Sequence, residues 1–320
     1  MEEEKKLYPI RFSPLHDEYC WGSETFEVAD LGYRDSLVSE GWLAGNLMSE
    51  VMDTYLDRVV GDNVYEYFGR QFPICVRTVR CHGKMPLRVH PDDTVASERY
   101  DLLGKEKLWY VLRCGRSARV LMGFREDADA SSVIDACSDG SVADLINVIA
   151  PHKGQYFHIA PGTPHALEGD IEVLEISESS PADVCMCSWG QMTGEEEFDP
   201  SLNLIEALDY INFDAWKAEN PGLDLINISQ MRVRKLQFSD RLDIRPSEND
   251  TFVLYSCIDG EMSVDIDVAG STVPFAVRAG ETVLVPAECR EYRLSPLNGG
   301  VTVLETTVPF RIDEFLNPKP

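Results

Sequence analysis

The chain has 320 residues, enough for two domains that each bury a sizeable hydrophobic core. Hydrophobic residues make up 44% and charged residues 26%, which is ordinary for globular proteins and excludes disordered, collagen-like and fibrous classes. Lysine and arginine total 29 against 55 aspartates and glutamates, so the net charge of −26 disfavours nucleic acid and anionic membranes as partners.

Two further features bear on where the protein is found. The sequence holds no apolar run near the ~20 residues of a membrane helix, and its start, Met1-Glu2-Glu3-Glu4-Lys5-Lys6, lacks the apolar core of a signal peptide. Nine cysteines, an odd number without a Cys-x-x-Cys pair, suit reduced thiols better than a disulfide framework. We therefore expect a cytoplasmic protein.

The first part of the chain mixes helices and strands. Apolar residues at three- and four-residue intervals predict an amphipathic helix over 48–60, with Gly61 at its end. Asp92 and Asp93 can cap a short helix that runs to about Leu103. Three apolar, mostly β-branched runs predict strands of an antiparallel sheet: 73–79, 108–112 and 118–122.

Helical periodicity then appears twice between residues 131 and 149 and predicts a helical insertion there. Strands resume at 155–159 and 171–176, and a short helix is expected at 200–208. The polar, Pro- and Gly-containing segment 217–222 is the best candidate for a linker. We place the domain boundary near residue 215.

Strand-like runs dominate the rest of the chain: 231–236, 252–258, 262–268, 272–277, 281–286 and 301–306. Gly260, Gly270 and Gly280 recur at near-regular spacing between them. This pattern is typical of an all-β sandwich or barrel. We therefore predict a mostly β protein with an N-terminal domain over 1–215 and a smaller β domain over 216–320.

A set of motifs surrounds two of the six histidines. His90 lies in Val89-His90-Pro-Asp-Asp93, and His165 lies in Gly162-Thr-Pro-His-Ala166, each beside a predicted strand. Around them stand, in chain order, Gly104-Lys-Glu-Lys-Leu-Trp-Tyr110, Gly123-Phe124, Leu174-Glu-Ile176 and Trp189-Gly190. Over roughly residues 9–210 this order resembles class I mannose-6-phosphate isomerases (phosphomannose isomerases). The resemblance implies a cupin, a double-stranded β-helix barrel, with a helical insertion and a second, vestigial cupin-like domain.

The resemblance also implies an activity and a metal. Such enzymes interconvert mannose 6-phosphate and fructose 6-phosphate, with a zinc ion held by a Gln, a His, a Glu and a second His. On this sequence the Gln falls on Arg88 and the Glu falls on Lys107, while the two histidines fall on His90 and His165. Zinc needs lone-pair donors, which protonated Arg and Lys do not offer. We therefore expect no cofactor, with His90 and His165 as a partial remnant of the metal site.

The other catalytic positions are partly retained. The family's catalytic Lys falls on Lys105, but the Arg expected before Trp189-Gly190 falls on Cys185. We expect a mannose-6-phosphate isomerase-like protein whose standard activity is lost or altered, with Lys105, Arg88 and Lys107 as candidate catalytic and substrate-binding groups. Arg88 or Lys107 would replace the metal as electrophile. The alternative is a non-catalytic cupin that binds a sugar phosphate or another small anion.

Arg88 and Lys107 have a further possible use. Buried cations are usually neutralised by carboxylates, and Glu106, Asp93 and Glu175 are the candidates nearby in the sequence. The sequence leaves internal ion pairing and anion capture open. Three large aromatic side chains in the motifs are expected to be core residues: Trp109, Trp189 and Phe124.

Overall fold

A computed structural model describes residues 5–190, 200–218, 224–245, 251–268 and 271–309. Strands dominate and pair antiparallel, so the predicted mostly β fold is confirmed. In chain order the strands are β1 (Phe12–Ser13), β2 (Leu15–Tyr19), β3 (Gly22–Val28), β4 (Leu37–Val38), β5 (Ile74–Cys81), β6 (Leu87–Val89), β7 (Lys107–Cys114), β8 (Arg119–Phe124), β9 (Ile146–Ile149), β10 (Tyr156–Ile159), β11 (His165–Glu168), β12 (Ile171–Glu178), β13 (Val184–Cys187), β14 (Ile226–Asn227), β15 (Arg232–Phe238), β16 (Leu242–Ile244), β17 (Val253–Asp259), β18 (Glu261–Val268), β19 (Ser271–Arg278), β20 (Thr282–Val285), β21 (Tyr292–Pro296) and β22 (Val301–Thr307). The helices are α1 (Met48–Tyr55), α2 (Asp57–Val60), α3 (Asp62–Phe68), α4 (Asp93–Tyr100), α5 (Ala130–Asp139) and α6 (Pro200–Ala207).

The middle of the chain folds into one compact unit, which we call the central unit: Leu15–Phe26 and Cys75–Asn220, as far as these are described. It contains a six-stranded sheet in the order β10-β7-β12-β5-β3-β2 and a five-stranded sheet in the order β13-β6-β11-β8-β9. Apolar side chains from both sheets are buried in a single core, so the sheets face each other. Trp109 and Phe124 are fully buried there and Trp189 packs half-buried against them, as expected for core residues.

The described parts of Met1–Pro14, Glu27–Ile74 and Pro221–Pro320 form the other compact unit, called the terminal unit. It contains a five-stranded sheet in the order β14-β15-β22-β17-β20 and a four-stranded sheet in the order β16-β21-β18-β19. Each of the six strands predicted beyond the linker is present, and Gly260 and Gly280 turn with positive φ; Gly270 lies outside the described residues. The single boundary near residue 215 stays a prediction, and most of segment 217–222 lies outside the described residues.

The helical predictions need corrections. The helix expected over 48–60 is broken at Leu56, whose φ of 49° interrupts it between α1 and α2. The insertion over 131–149 is helical only in its first half, because Gly140 takes a left-handed φ of 83° and ends α5. A 3-10 turn at Val142–Asp144 follows, and the last residues form β9, which pairs with β8. Apolar spacing alone does not separate a short helix from a strand of this length.

The helix predicted after Asp92 is confirmed as α4, with the Asp92 carboxylate accepting a hydrogen bond from the Val95 amide. The predicted strands at 108–112 and 118–122 are present as β7 and β8, but they lie in different sheets of the central unit. Among the described residues, no helix is long and apolar enough to cross a bilayer.

Candidate functional site in the central unit

The site residues expected from the sequence come together between the two sheets of the central unit. Lys107 begins β7 of the six-stranded sheet, whereas Arg88 on β6 and His165 on β11 are cross-strand neighbours in the five-stranded sheet. Arg88 and Lys107 do not lie on neighbouring strands, because β6 and β7 belong to opposite sheets. The Gly162 turn fixes His165 against His90: Gly162 has a φ of 77° and donates its amide to the His90 carbonyl at 2.8 Å.

Lys107 is the centre of this arrangement. Its ammonium is fully buried and lies 3.1 Å from His165 Nε2. The other ring nitrogen of His165, Nδ1, lies 2.9 Å from the carbonyl oxygen of Thr163, an acceptor only, so Nδ1 carries the proton and Nε2 offers a lone pair. Lys107 therefore donates to the His165 nitrogen that faces the space between the sheets.

Asp183, a carboxylate that was not predicted from the sequence, pairs with both Lys105 and Lys107. Asp183 lies just before β13, and its Oδ2 is 2.8 Å from Lys105 Nζ while its Oδ1 is 3.2 Å from Lys107 Nζ. Lys105 also donates to the carbonyl of Ser180 at 2.7 Å.

A second group of buried charges continues this cluster. Arg77 on β5 donates to Glu175 on β12 at 2.8 Å and to Glu24 on β3 at 2.8 Å. Glu175 also accepts a 2.6 Å hydrogen bond from the Trp109 indole and lies 3.7 Å from Lys107 Nζ. These side chains are at most 5% exposed, so water cannot substitute for any of the contacts.

Arg88 occupies the edge of the cluster. Its guanidinium lies 3.8 Å from Glu24, and its side chain keeps 20% of its exposure. Of the three carboxylates proposed from the sequence as counter-charges, Glu175 contacts a site cation, Lys107. Glu106 instead lies 2.8 Å from His158, and Asp93 accepts a hydrogen bond from the Gly104 amide.

His90 differs from the other members of the cluster. It is fully buried, and neither ring nitrogen has a hydrogen-bond partner among the described residues. Its ring stacks edge-on against His165 with centroids 5.1 Å apart. Burial and the nearby Lys107 hold the pKa of His90 well below 6.5, so the ring is neutral.

The pKa shifts of the other cluster members show which side chains are charged at neutral pH. Burial and Lys107 lower the pKa of His165 to about 3. Burial opposes ionisation of Glu175 and Asp183, but the surrounding cations outweigh it, lowering the pKa of Glu175 to about 2 and that of Asp183 well below its usual value. Burial also lowers the pKa of Lys107, against the pull of Asp183 and Glu175. Both carboxylates are therefore ionised at neutral pH, and both histidines are neutral.

Comparison with known proteins places this arrangement in context. No family model matches the chain. Mannose-6-phosphate isomerase ManA of Bacillus subtilis is 22% identical over 317 residues, covering 89% of this chain and 95% of that protein. The mannose-6-phosphate isomerase of Streptococcus mutans is also 22% identical, over 88% of this chain and 93% of its own length. A crystal structure of the B. subtilis mannose 6-phosphate isomerase superposes with a TM-score of 0.77 at 19% identity, covering 94% of this chain and 99% of that chain.

The resemblance to mannose-6-phosphate isomerases is confirmed. A putative mannosephosphate isomerase from Archaeoglobus fulgidus gives a similar match, with a TM-score of 0.75 at 19% identity over 95% of this chain and 99% of its own. The fold is thus that of the mannose-6-phosphate isomerases, including the cupin barrel expected from the sequence motifs.

The residues of this barrel do not fit the zinc ion that the resemblance implies. The His165 lone pair that would face a metal already accepts from the Lys107 ammonium, and the Arg88 guanidinium has no lone pair to give. In the part of the chain that the structure describes, no group of three His, Cys, Asp or Glu side chains is placed to hold a metal ion.

Three buried members of the cluster were missed from the sequence: Arg77, Glu24 and Asp183. One signal was present for Arg77, a lone charge inside the apolar strand 73–79. Such a residue in a buried strand demands a partner. Glu24 and Asp183 had no comparable signal, because their positions in the sequence do not reveal which sheet faces they share.

Proposed function

We propose that this chain is a mannose-6-phosphate isomerase-like protein of the cytoplasm that does not carry out the ordinary metal-dependent isomerisation. Its relatives along nearly the whole chain are named mannose-6-phosphate isomerases. The contact between Lys107 Nζ and His165 Nε2 at 3.1 Å carries the second half of the proposal, since an ammonium group stands where a metal would meet the histidine. All nine cysteines are free thiols, which supports a reducing compartment.

The chemistry of the reaction explains why turnover is lost. Aldose–ketose isomerisation moves a proton between C1 and C2 and needs an electrophile at the developing enediolate oxygen. Lys107 could serve as an electrophile only if it gave up its contacts with Asp183 and Glu175, and each of these carboxylates would then lose one of its counter-charges inside the protein. Lys105 is held in the same way by Asp183 and the Ser180 carbonyl. Lys105 and Lys107 are therefore engaged in the ion pairs and hydrogen bonds that stabilise the fold.

Capture of an anion by Arg88 and Lys107 is less favoured. Glu24, Glu175 and Asp183 already supply three negative charges among these cations, so little positive charge is left for a ligand. Arg88, with its partial exposure, is the group through which a sugar phosphate would first contact the site.

A coupled assay tests the proposal. Fructose 6-phosphate formation from mannose 6-phosphate should be at background, several orders of magnitude below the B. subtilis relative measured alongside. Added zinc should not raise the rate. A rate that chelator abolishes would contradict the proposal by showing a working metal site. A rate that resists chelator but disappears in Lys105→Ala and Lys107→Ala would also contradict it, and would identify a metal-free isomerase.

A further inference from the structure

The terminal unit contains a cavity that the proposed function does not use. It measures about 460 Å³, is partly open to solvent, and lies between one face of the sheet that holds β15, β17, β20 and β22 and the strands β16 and β21. This size lies within the roughly 300–1,000 Å³ typical of small-molecule sites. The space is therefore large enough for an organic ligand.

The lining of the cavity is positively charged, whereas the chain as a whole is negatively charged. Among the described residues, four arginines and no lysine line it, against two carboxylates: Arg232, Arg234, Arg245 and Arg290 with Asp243 and Glu305. Asp224, outside the lining, pairs with Arg232 at 3.1 Å, and Glu305 pairs with Arg234. The described lining is therefore positively charged in a protein whose net charge is −26. Arginine without lysine indicates planar, bidentate recognition of an oxyanion.

The floor of the cavity is a preorganised polar row across three adjacent strands. Arg234 on β15, Glu305 on β22 and Tyr255 on β17 are cross-strand neighbours. Arg234 Nε donates to Glu305 at 2.8 Å, and the Tyr255 hydroxyl lies 3.3 Å from the other oxygen of Glu305. The Tyr292 hydroxyl on β21 lies 2.9 Å from that of Tyr255. Donors and acceptors are therefore fixed before a ligand arrives.

These groups complement two parts of one molecule. Guanidinium groups bind phosphate oxygens, and the phenols with the Glu305 carboxylate can exchange hydrogen bonds with hydroxyl groups. Burial raises the pKa of Tyr255 and Tyr292, so both keep their protons. These protons run along the row from Tyr292 through Tyr255 to Glu305, so the oxygens of Tyr292 and Glu305 accept from the hydroxyls of a ligand. A plain phosphate ion would use only the arginines and leave the tyrosine pair unused.

We propose that this cavity binds a small phosphorylated polyol, with the lining arginines holding the phosphate and Tyr292 and Glu305, held in place by the buried Tyr255, meeting the hydroxyls. The proposal does not rest on the proposed function, because all of these residues belong to the terminal unit.

Calorimetry with the full chain tests it, using fructose 6-phosphate, inorganic phosphate and neutral fructose as probes. Fructose 6-phosphate should bind, inorganic phosphate should bind more weakly, and fructose should give no heat. Arg245→Gln combined with Arg290→Gln should weaken fructose 6-phosphate binding at least about 10-fold, because two charge-assisted contacts are lost. Arg278→Gln is the matched control: this exposed arginine lies in the same unit, outside the cavity lining, and should leave binding unchanged.

Two further measurements keep the result interpretable. Tyr292→Phe removes one cavity hydroxyl, and the loss of about 1 kcal/mol corresponds to about 5-fold weaker binding even if the arginine variant fails to fold. Arg88→Gln tests whether fructose 6-phosphate binds in the central unit instead of in this cavity. If this change abolishes binding while the arginine pair and Tyr292→Phe leave it intact, the ligand belongs to the barrel with His165 and the proposal is overturned. Absence of binding to the wild type at millimolar fructose 6-phosphate overturns it as well.

Discussion

Lys107 remains charged inside the protein because carboxylates replace the water that its ammonium group has lost. Asp183 contacts both Lys105 and Lys107, so it is the shared counter-ion of two buried cations. An ion pair of this kind adds little net stability over an apolar pair, since desolvation cancels much of the attraction. Removal of one partner is different, because the remaining charges stay buried without compensation.

Asp183→Ala should therefore destabilise the protein strongly, by about 3–5 kcal/mol. Asp170→Ala is the matched control: Asp170 pairs with Arg113 at 2.9 Å, but both side chains are more than half exposed. That pair should contribute about 0–1 kcal/mol. Urea unfolding followed by tryptophan fluorescence measures both variants. If the two lose equal stability, the buried lysines are not charged and the ion-pair account of the site is wrong.

At the scale of single residues, the sequence supports part of the site. The motifs locate Arg88, His90, Lys107 and His165, which lie together, and Glu175 was correctly named as a possible counter-ion. Asp183 was out of reach because it comes from a loop more than 70 residues away from Lys107, and only the fold brings them together. Residue types at motif positions can be read from sequence, but partners that arise from sheet stacking cannot.

At the scale of elements, strands were predictable where a strand-like run of residues is followed by a glycine that can form the turn. β9 was missed because Val142–Asp144 and the residues after it have apolar spacing that fits either a helix or a strand. β7 and β8 were identified as strands, but their division between two sheets depends on how the barrel closes. That closure places positions 88 and 107 on opposite walls of one cluster.

The placement of these two strands predicts a gain of metal binding. Arg88→Gln combined with Lys107→Glu should bind zinc, because two oxygen donors would then face His90 and His165 from opposite sheets. Calorimetry with zinc chloride measures the affinity. Arg88→Gln alone is the control and should not bind, since the Lys107 ammonium still occupies the His165 lone pair. If the double variant also gives no heat, the assignment of positions 88 and 107 to the former ligands is wrong.

At the scale of the whole molecule, the two compact units respond differently to acid. In the central unit His90 and His165 are neutral when folded, so they favour the fold above pH ~6.5, and this contribution is lost as the pH falls below that value. Burial and neighbouring acids raise the pKa of Glu178, which opposes part of this loss of stability. Glu175 and Asp183, with lowered pKa values, add a further loss of stability below pH ~4.3.

The terminal unit carries shifts of the opposite sign. Burial and the nearby Glu281 raise the pKa of Glu27 to about 7. Burial, with Asp35 and Asp53 nearby, raises the pKa of Asp30 to about 6 despite a hydrogen bond from the Phe72 amide. A carboxyl group with a raised folded pKa stabilises the fold while protonated, and this contribution is lost as the pH rises towards 7.

Acidification from pH 7 to pH 5 should therefore weaken the central unit and strengthen the terminal unit. In the central unit the unfolded chain takes up the protons of two histidines that stay neutral in the fold, which sets the direction of the change. Hydrogen exchange, corrected for the intrinsic pH dependence, should show faster opening of β7 and β12 and slower opening of β17 and β22 at the lower pH. Glu27→Gln is the control and should reduce the response of the terminal unit. Parallel changes in both units would contradict the assigned pKa shifts.

The contact between Lys107 and His165 also bears on how the protein matures in the cell. Because the contacts of Lys107 are all supplied by the polypeptide, we expect the barrel to complete its folding without acquiring an ion from its surroundings. Folded protein should accumulate equally well in metal-replete and metal-starved cultures, and chelators should leave its melting temperature unchanged. Synthesis of this chain would then place no demand on the cellular zinc supply.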